Sequence, residues 1–265
     1  DLSPNAMTQR RTDSGPHSGP YAELAFATVL VASALATMVI GWSSARSLET
    51  CWDEQVDRQI AVGLRNHPLT GERPTLDGSQ TRLPMYVNAL VFALTGRDDL
   101  ARSRAVSLLF AGITVITAGV LGRRLFGPLA GGLAAVLLAL SPYFLAFGRI
   151  AMTEGDVFFA CFLTLASWGL VRYAQHPTAG TWLTAAVLSA LAVGAKLYAV
   201  APLAVLALVS AAAERPIAVN VGGGLGDRRK DVQRLHFRMP VAFSVISLTA
   251  AAALWSQVAV EQGRV

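Results

Sequence analysis

The chain has 265 residues, of which 53% are hydrophobic and 15% charged, with a positive mean hydropathy; a soluble domain carries about 25% charge, so an ordinary water-soluble globule is excluded and a membrane protein is expected. The net charge of +5 is nearly all arginine, since Lys196 and Lys230 are the only lysines, and without a basic stripe of interleaved aromatics it does not read as a nucleic-acid surface. Two cysteines, Cys51 and Cys161, and four scattered histidines without a His-x-x-x-His pair give neither a disulfide framework nor a zinc-ligand spacing.

Residues 1–21 are polar and rich in Ser, Pro and Gly, the composition of a disordered cytoplasmic tail. The apolar run at 22–42 is longer than the core of a secretory signal and shows no clear small-residue cleavage site, which predicts a retained anchor. Residues 43–102 then form a large first external loop with short helices. In "CWDEQVDRQIAVGL" the residues Trp52, Val56 and Ile60 recur every four positions, so one helix face meets lipid or protein while Asp53 and Asp57 share a neighbouring face. The segment from Pro84 to Gly96 reaches only about 20 Å as a helix, too short to cross, and is expected at the interface or re-entrant.

Further runs at 103–122, 128–147, 156–174 and 239–258 match the roughly 20 helical residues needed to cross a hydrocarbon core. The stretch from Thr181 to Ala213, interrupted only by Lys196, is too long for one crossing and must turn, at Gly194-Ala195-Lys196. A basic cytoplasmic loop at 214–238 precedes the last span and C-terminal residues at 239–265; its glycines 222, 223, 224 and 226 lack the Gly-Lys-Ser/Thr of a phosphate loop and read as a linker. The expected fold is an all-α polytopic bundle of about seven spans, with its core at 22–213.

Charge orients it. With the N-terminus cytoplasmic, the inner loops carry eleven Lys/Arg against five acids, while the outer 43–104 segment carries eight against eight, in line with the positive-inside rule. Both acidic motifs, Trp52-Asp53-Glu54 and "GRIAMTEGD" with Arg149, Glu154 and Asp156, then fall on the external side. Structural readings stand beside functional ones. Thr50 with Asp53, and Thr153 with Asp156, have the spacing of helix capping boxes, but capping leaves Glu54 and Glu154 without a role. Lys196, an ionisable group between apolar runs, either snorkels to the interface or meets an anionic ligand; Arg102 and Arg104 are headgroup anchors or phosphate contacts.

Trp-Asp-Glu after the first span, then "TRLPMYVNALVFALTG", "ARSRAVSLL", "GRRLFGPLAGGLAAVLLALSP", "GRIAMTEGDVFF" and "LSALAVGAKLYAV", resemble in order and spacing the N-terminal half of the C-type (GT-C) polyprenyl-phosphate-sugar glycosyltransferases. The similarity is to the protein mannosyltransferase and aminoarabinose transferase group and covers about residues 22–213. It implies transfer of a sugar, with inversion, from a polyprenyl-phosphate donor to a protein, lipid or glycan acceptor at the external face of the bilayer. By position it makes Asp53 the catalytic base, with Glu54 and Glu154 orienting the acceptor or holding a divalent ion, Mg or Mn, to which Asp53 is also assigned as a ligand beside Glu154. It likewise assigns Lys196, Arg104 and Arg149 to the donor phosphate. The chain departs from the pattern at Val56 and Asp57, where relatives often carry Tyr or Arg, and at Leu83-Pro84, where they read Lys-Pro or Pro-Pro. Such relatives are longer, so the chain is expected to be a fragment. The competing readings are a polytopic transporter or flippase, with Lys196 and Glu154 lining a solute path, and an inactive truncated scaffold.

Overall fold

Apolar runs in a bilayer fold as helices because each backbone N–H and C=O has to be paired within its own segment. The computed structural model describes residues 20–49, 52–68, 83–150, 156–176, 178–196, 199 and 202–204, with the backbone alone at 52 and 53. Among the described residues the regular elements are helical and none is a strand. Pro20–Ala45 forms α1, Trp52–Asn66 α2, Leu83–Thr95 α3, Leu100–Phe126 α4, Pro128–Leu140 α5, Pro142–Gly148 α6, Asp156–Gln175 α7 and Ala179–Ala195 α8.

Three of these, α1, α4 and α7, are long and apolar enough to cross a membrane, and α5 with α6 makes a fourth candidate. The protein is thus an integral membrane helical bundle. The expected run at 128–147 is not one straight helix: α5 and α6 meet at a 63° bend. The cause is local. Pro142 has no N–H to continue the ladder and its ring collides with the preceding turn, while the Ser141 hydroxyl accepts from the Phe144 N–H and starts α6 afresh. At 17 residues α8 is about 26 Å long, and it stops at Ala195, where the Gly194-Ala195-Lys196 turn was expected. The span at 239–258, the basic loop at 214–238 and residues 1–19 lie outside the described residues.

The helix α4 is the centre of the bundle. It packs against α1 and α5 on one side and α7 on the other, and α7 pairs with α8. One core joins Phe26 and Leu30 of α1 to Val115 of α4 and to Ala135 and Ala139 of α5. A second joins Val106, Phe158, Phe162 and Leu170 to Ala185, Ala192 and Val193, with Phe110 tilted against Phe158 and edge-on to Phe162 at centroid distances of 4.4 and 5.5 Å. The α4–α5 hairpin turns at Gly127, whose φ of +95° suits glycine. Beyond it Gly131 lies so close to α4 that a Cβ would strike the Gly119 carbonyl and the Arg123 backbone nitrogen. Large apolar side chains such as Val31, Leu35 and Val39 of α1 and Leu129, Leu133 and Leu137 of α5 remain exposed, the outward face that lipid covers.

The small pair α2 and α3 packs through Ile60, Ala61, Leu64, Met85, Ala89 and Phe92. It sits at the end of the bundle where α1 finishes and α4 begins, since Arg104 of α4 donates both to the Ala45 carbonyl and to Glu54 of α2. The same end holds the start of α7, which lies alongside the Phe110 region of α4, and the end of α8.

Candidate functional site

The start of α4 is fixed by Asp99, whose carboxylate accepts from the Arg102 N–H and pairs with the Arg102 guanidinium. Two residues on, Arg104 turns into the bundle and is buried. There it meets Glu54, whose side chain is fully buried: Arg104 Nε donates to Oε1 at 3.0 Å and Nη2 to Oε2 at 2.7 Å. The Arg104 Nη1 group also donates to the carbonyls of Ala45 and Leu48 at 2.6 and 3.3 Å, and Nη2 to that of Glu49 at 3.3 Å. Every N–H of the guanidinium is therefore engaged within the chain.

The inner face of α2 differs from the expectation drawn from Trp52, Val56 and Ile60. The buried positions are Glu54, Asp57, Ile60, Ala61 and Leu64, so two acids lie on the packed face of the helix. Sequence reasoning missed the Glu54–Arg104 pair, which is made by packing α4 beside α2. A second tie holds α2 in place: Arg58 pairs with Asp98 at 3.1 Å and also donates to its backbone carbonyl.

Lys196 ends α8 in extended backbone, its N–H bonded to the Ala192 carbonyl at 3.0 Å. Its ammonium pairs with the carboxylate of Asp156, the first residue of α7; the lysine side chain is 15% exposed and the aspartate 47%. The acid opens one helix and the cation closes its antiparallel neighbour, so each also opposes the helix dipole charge at its own end. Sequence spacing favoured Asp156 as a capping residue, with Thr153, over a chemical role; that threonine lies outside the described residues, as does Thr50.

Arg149 follows α6, and its Nη1 donates to the Ser44 hydroxyl at 2.9 Å near the end of α1. Its buried Nε–H has no acceptor among the described residues. Of the three cations assigned to a phosphate, then, Arg149 keeps donor capacity, Lys196 holds a half-exposed partner that an anion can replace, and Arg104 has no donor to spare. The described parts of the site thus collect at one end of the bundle: the backbone of Asp53, with Glu54, Arg104, Arg149, Asp156 and Lys196. Glu154 and the Asp53 side chain lie outside the described residues. Among the described residues no three His, Cys, Asp or Glu side chains cluster as metal ligands, a statement that does not extend to the two carboxylates assigned to an ion, Asp53 and Glu154.

With this geometry in hand, comparison with known proteins finds one family match: the model for dolichyl-phosphate-mannose-protein mannosyltransferase fits residues 79–221, more than half of the chain. No curated protein matches.

Proposed function

The chain belongs to the dolichyl-phosphate-mannose-protein mannosyltransferase family, and from that premise we propose that it moves a sugar from a polyprenyl-phosphate donor to an acceptor hydroxyl at the extracytoplasmic membrane face. The observation that carries this reading is the gathering of α2, Arg149 and the Lys196–Asp156 pair at one end of an apolar bundle. A lipid-linked substrate places its phosphate at that depth, where cations on helix ends meet it while its chain stays among the apolar faces. The excess of basic residues in the other loops supports an outward orientation of this end.

The chemistry follows from the groups required. The acceptor oxygen attacks the anomeric carbon, its proton passes to a base, and the bond to the phosphate oxygen breaks to release polyprenyl phosphate. Asp53, in the first turn of α2, is the base. Arg149, whose Nε–H has no acceptor among the described residues, and Lys196 stabilise the charge that grows on the departing phosphate, the arginine through paired donors and the lysine as a point charge. Binding draws Lys196 away from Asp156 at modest cost, because that carboxylate is half in water. Glu154, on the segment between Arg149 and α7, orients the acceptor, which is a protein, lipid or glycan. Any Mg or Mn requirement would rest on Asp53 and Glu154, the oxygen ligands such ions take.

The test is Asp53→Asn in the membrane-inserted protein, assayed by label transfer from polyprenyl-phospho-mannose. Transfer is expected to fall by ~100-fold or more, the scale of a missing general base. Undiminished transfer removes Asp53 from the reaction, and solute flux across vesicles without transfer would favour a transporter.

A further inference from the structure

We propose that Arg104 and Glu54 are positioning residues for the proposed transfer: their buried pair clamps the end of α1, the start of α2 and the start of α4 together, and so fixes the backbone that carries Asp53. This rests on the transferase reading and refines it, because it takes both residues away from direct contact with substrate. Three observations converge. The fork of Arg104 spends five N–H groups on Glu54 and on the carbonyls of Ala45, Leu48 and Glu49. Those carbonyls close α1 and the turn after it, acceptors that the end of a helix leaves without partners of its own, so Arg104 caps α1 from a neighbouring helix. Glu54 has both carboxylate oxygens on the guanidinium and none of its side chain in water, so it meets an acceptor or an ion only if the pair breaks.

Glu54 follows Asp53 directly in the first turn of α2. Holding Glu54 therefore holds the neighbouring Cα, and an error of about 1 Å in a reacting group costs ~100-fold in rate. Lysine cannot replace Arg104, because a single ammonium offers three donors from one point and cannot span a carboxylate and three carbonyls.

The experiment compares the full wild-type chain with Arg104→Lys and Glu54→Gln in proteoliposomes. Transfer from polyprenyl-phospho-mannose gives kcat and donor KM, and hydrogen exchange is followed at the amides of residues 45–57. The expected result is a kcat lowered by ~100-fold in both variants, a donor KM within about twofold of wild type, and faster exchange over 45–57. A variant Arg104→Lys with kcat retained and donor KM raised marks a phosphate contact and overturns the proposal, as does unchanged exchange in both variants. If the variants fail to insert, wild-type exchange decides: residues 53–57 as protected as the start of α4 support the clamp, and free exchange there refutes it. A wild-type chain that transfers no sugar from such donors defeats the transferase reading instead, while the exchange measurements still judge the clamp.

Discussion

The two ends of the bundle use the same ion-pair chemistry to different effect. At the site end Glu54 and Arg104 are 0% and 10% exposed; at the opposite end Glu23 of α1 and Arg123 of α4 pair at 2.6 Å with 41% and 39% exposure. The exposed arginine also lies 4.9 Å over the Phe26 ring, and its neighbour Arg124 donates to Gln175 of α7. A pair in water gains little, because solvent screens both charges and holding long side chains still costs entropy. A buried pair is different: breaking it strands a charge where nothing solvates it. The difference teaches that burial, more than the number of charged pairs, tells where this fold is specified.

The comparison can be broken from either end. The largest effect is expected from Arg104→Ala, which leaves Glu54 buried without its guanidinium and should cost about 3–5 kcal/mol. Thermal unfolding in detergent checks it, and a destabilisation below about 1 kcal/mol would place this pair in the same class as exposed ones. Next is Gly131→Ala near the opposite end, where the added methyl meets backbone atoms of α4 that cannot swing aside. It should cost about 1–3 kcal/mol in the same unfolding measurement, which makes the hairpin, and not the Glu23–Arg123 pair, the firm feature of that end. Lys196→Gln sharpens the site end: with no ammonium to meet the donor phosphate, donor KM should rise about tenfold, equivalent to ~1.4 kcal/mol, while the melting temperature stays near that of wild type because Asp156 is half-exposed. Unchanged donor KM would leave the Lys196–Asp156 pair a purely structural one. The smallest effect is expected from Glu23→Gln, about 0–1 kcal/mol and smaller still in high salt; a larger, salt-independent destabilisation would erase the contrast between the ends.

Helices with one dominant requirement were legible in the sequence. The runs beginning near 22, 103 and 156 needed only length and hydropathy, and α1, α4 and α7 follow them closely. The short α3 and the turn at Lys196 were legible because helix rise sets a hard limit on what can cross. The break at Ser141-Pro142 was equally local, yet continuous hydropathy hid it: an average over a whole span does not register a missing N–H. Of the site, the residue types and their common end of the bundle could be read, but the partners could not. Nothing in linear spacing joins Arg104 to Glu54 or Lys196 to Asp156, since those pairings are made by packing α4 beside α2 and α7 beside α8. For the same reason Arg104 reads as a phosphate ligand in sequence, whereas the folded chain supplies acceptors for its whole guanidinium.

Because α4 touches nearly every other helix, its length works as a ruler. Its first turns grip α2 and α7, its last turns grip α1 and α5, and the distance between the two grips is a fixed number of helical steps. Adding or deleting a single residue in its middle would swing one grip by about 100° relative to the other, so that Arg104 and Arg123 could not both find their carboxylates. The identity of residues along the lipid-facing side of α4 is free to drift, but their number is not.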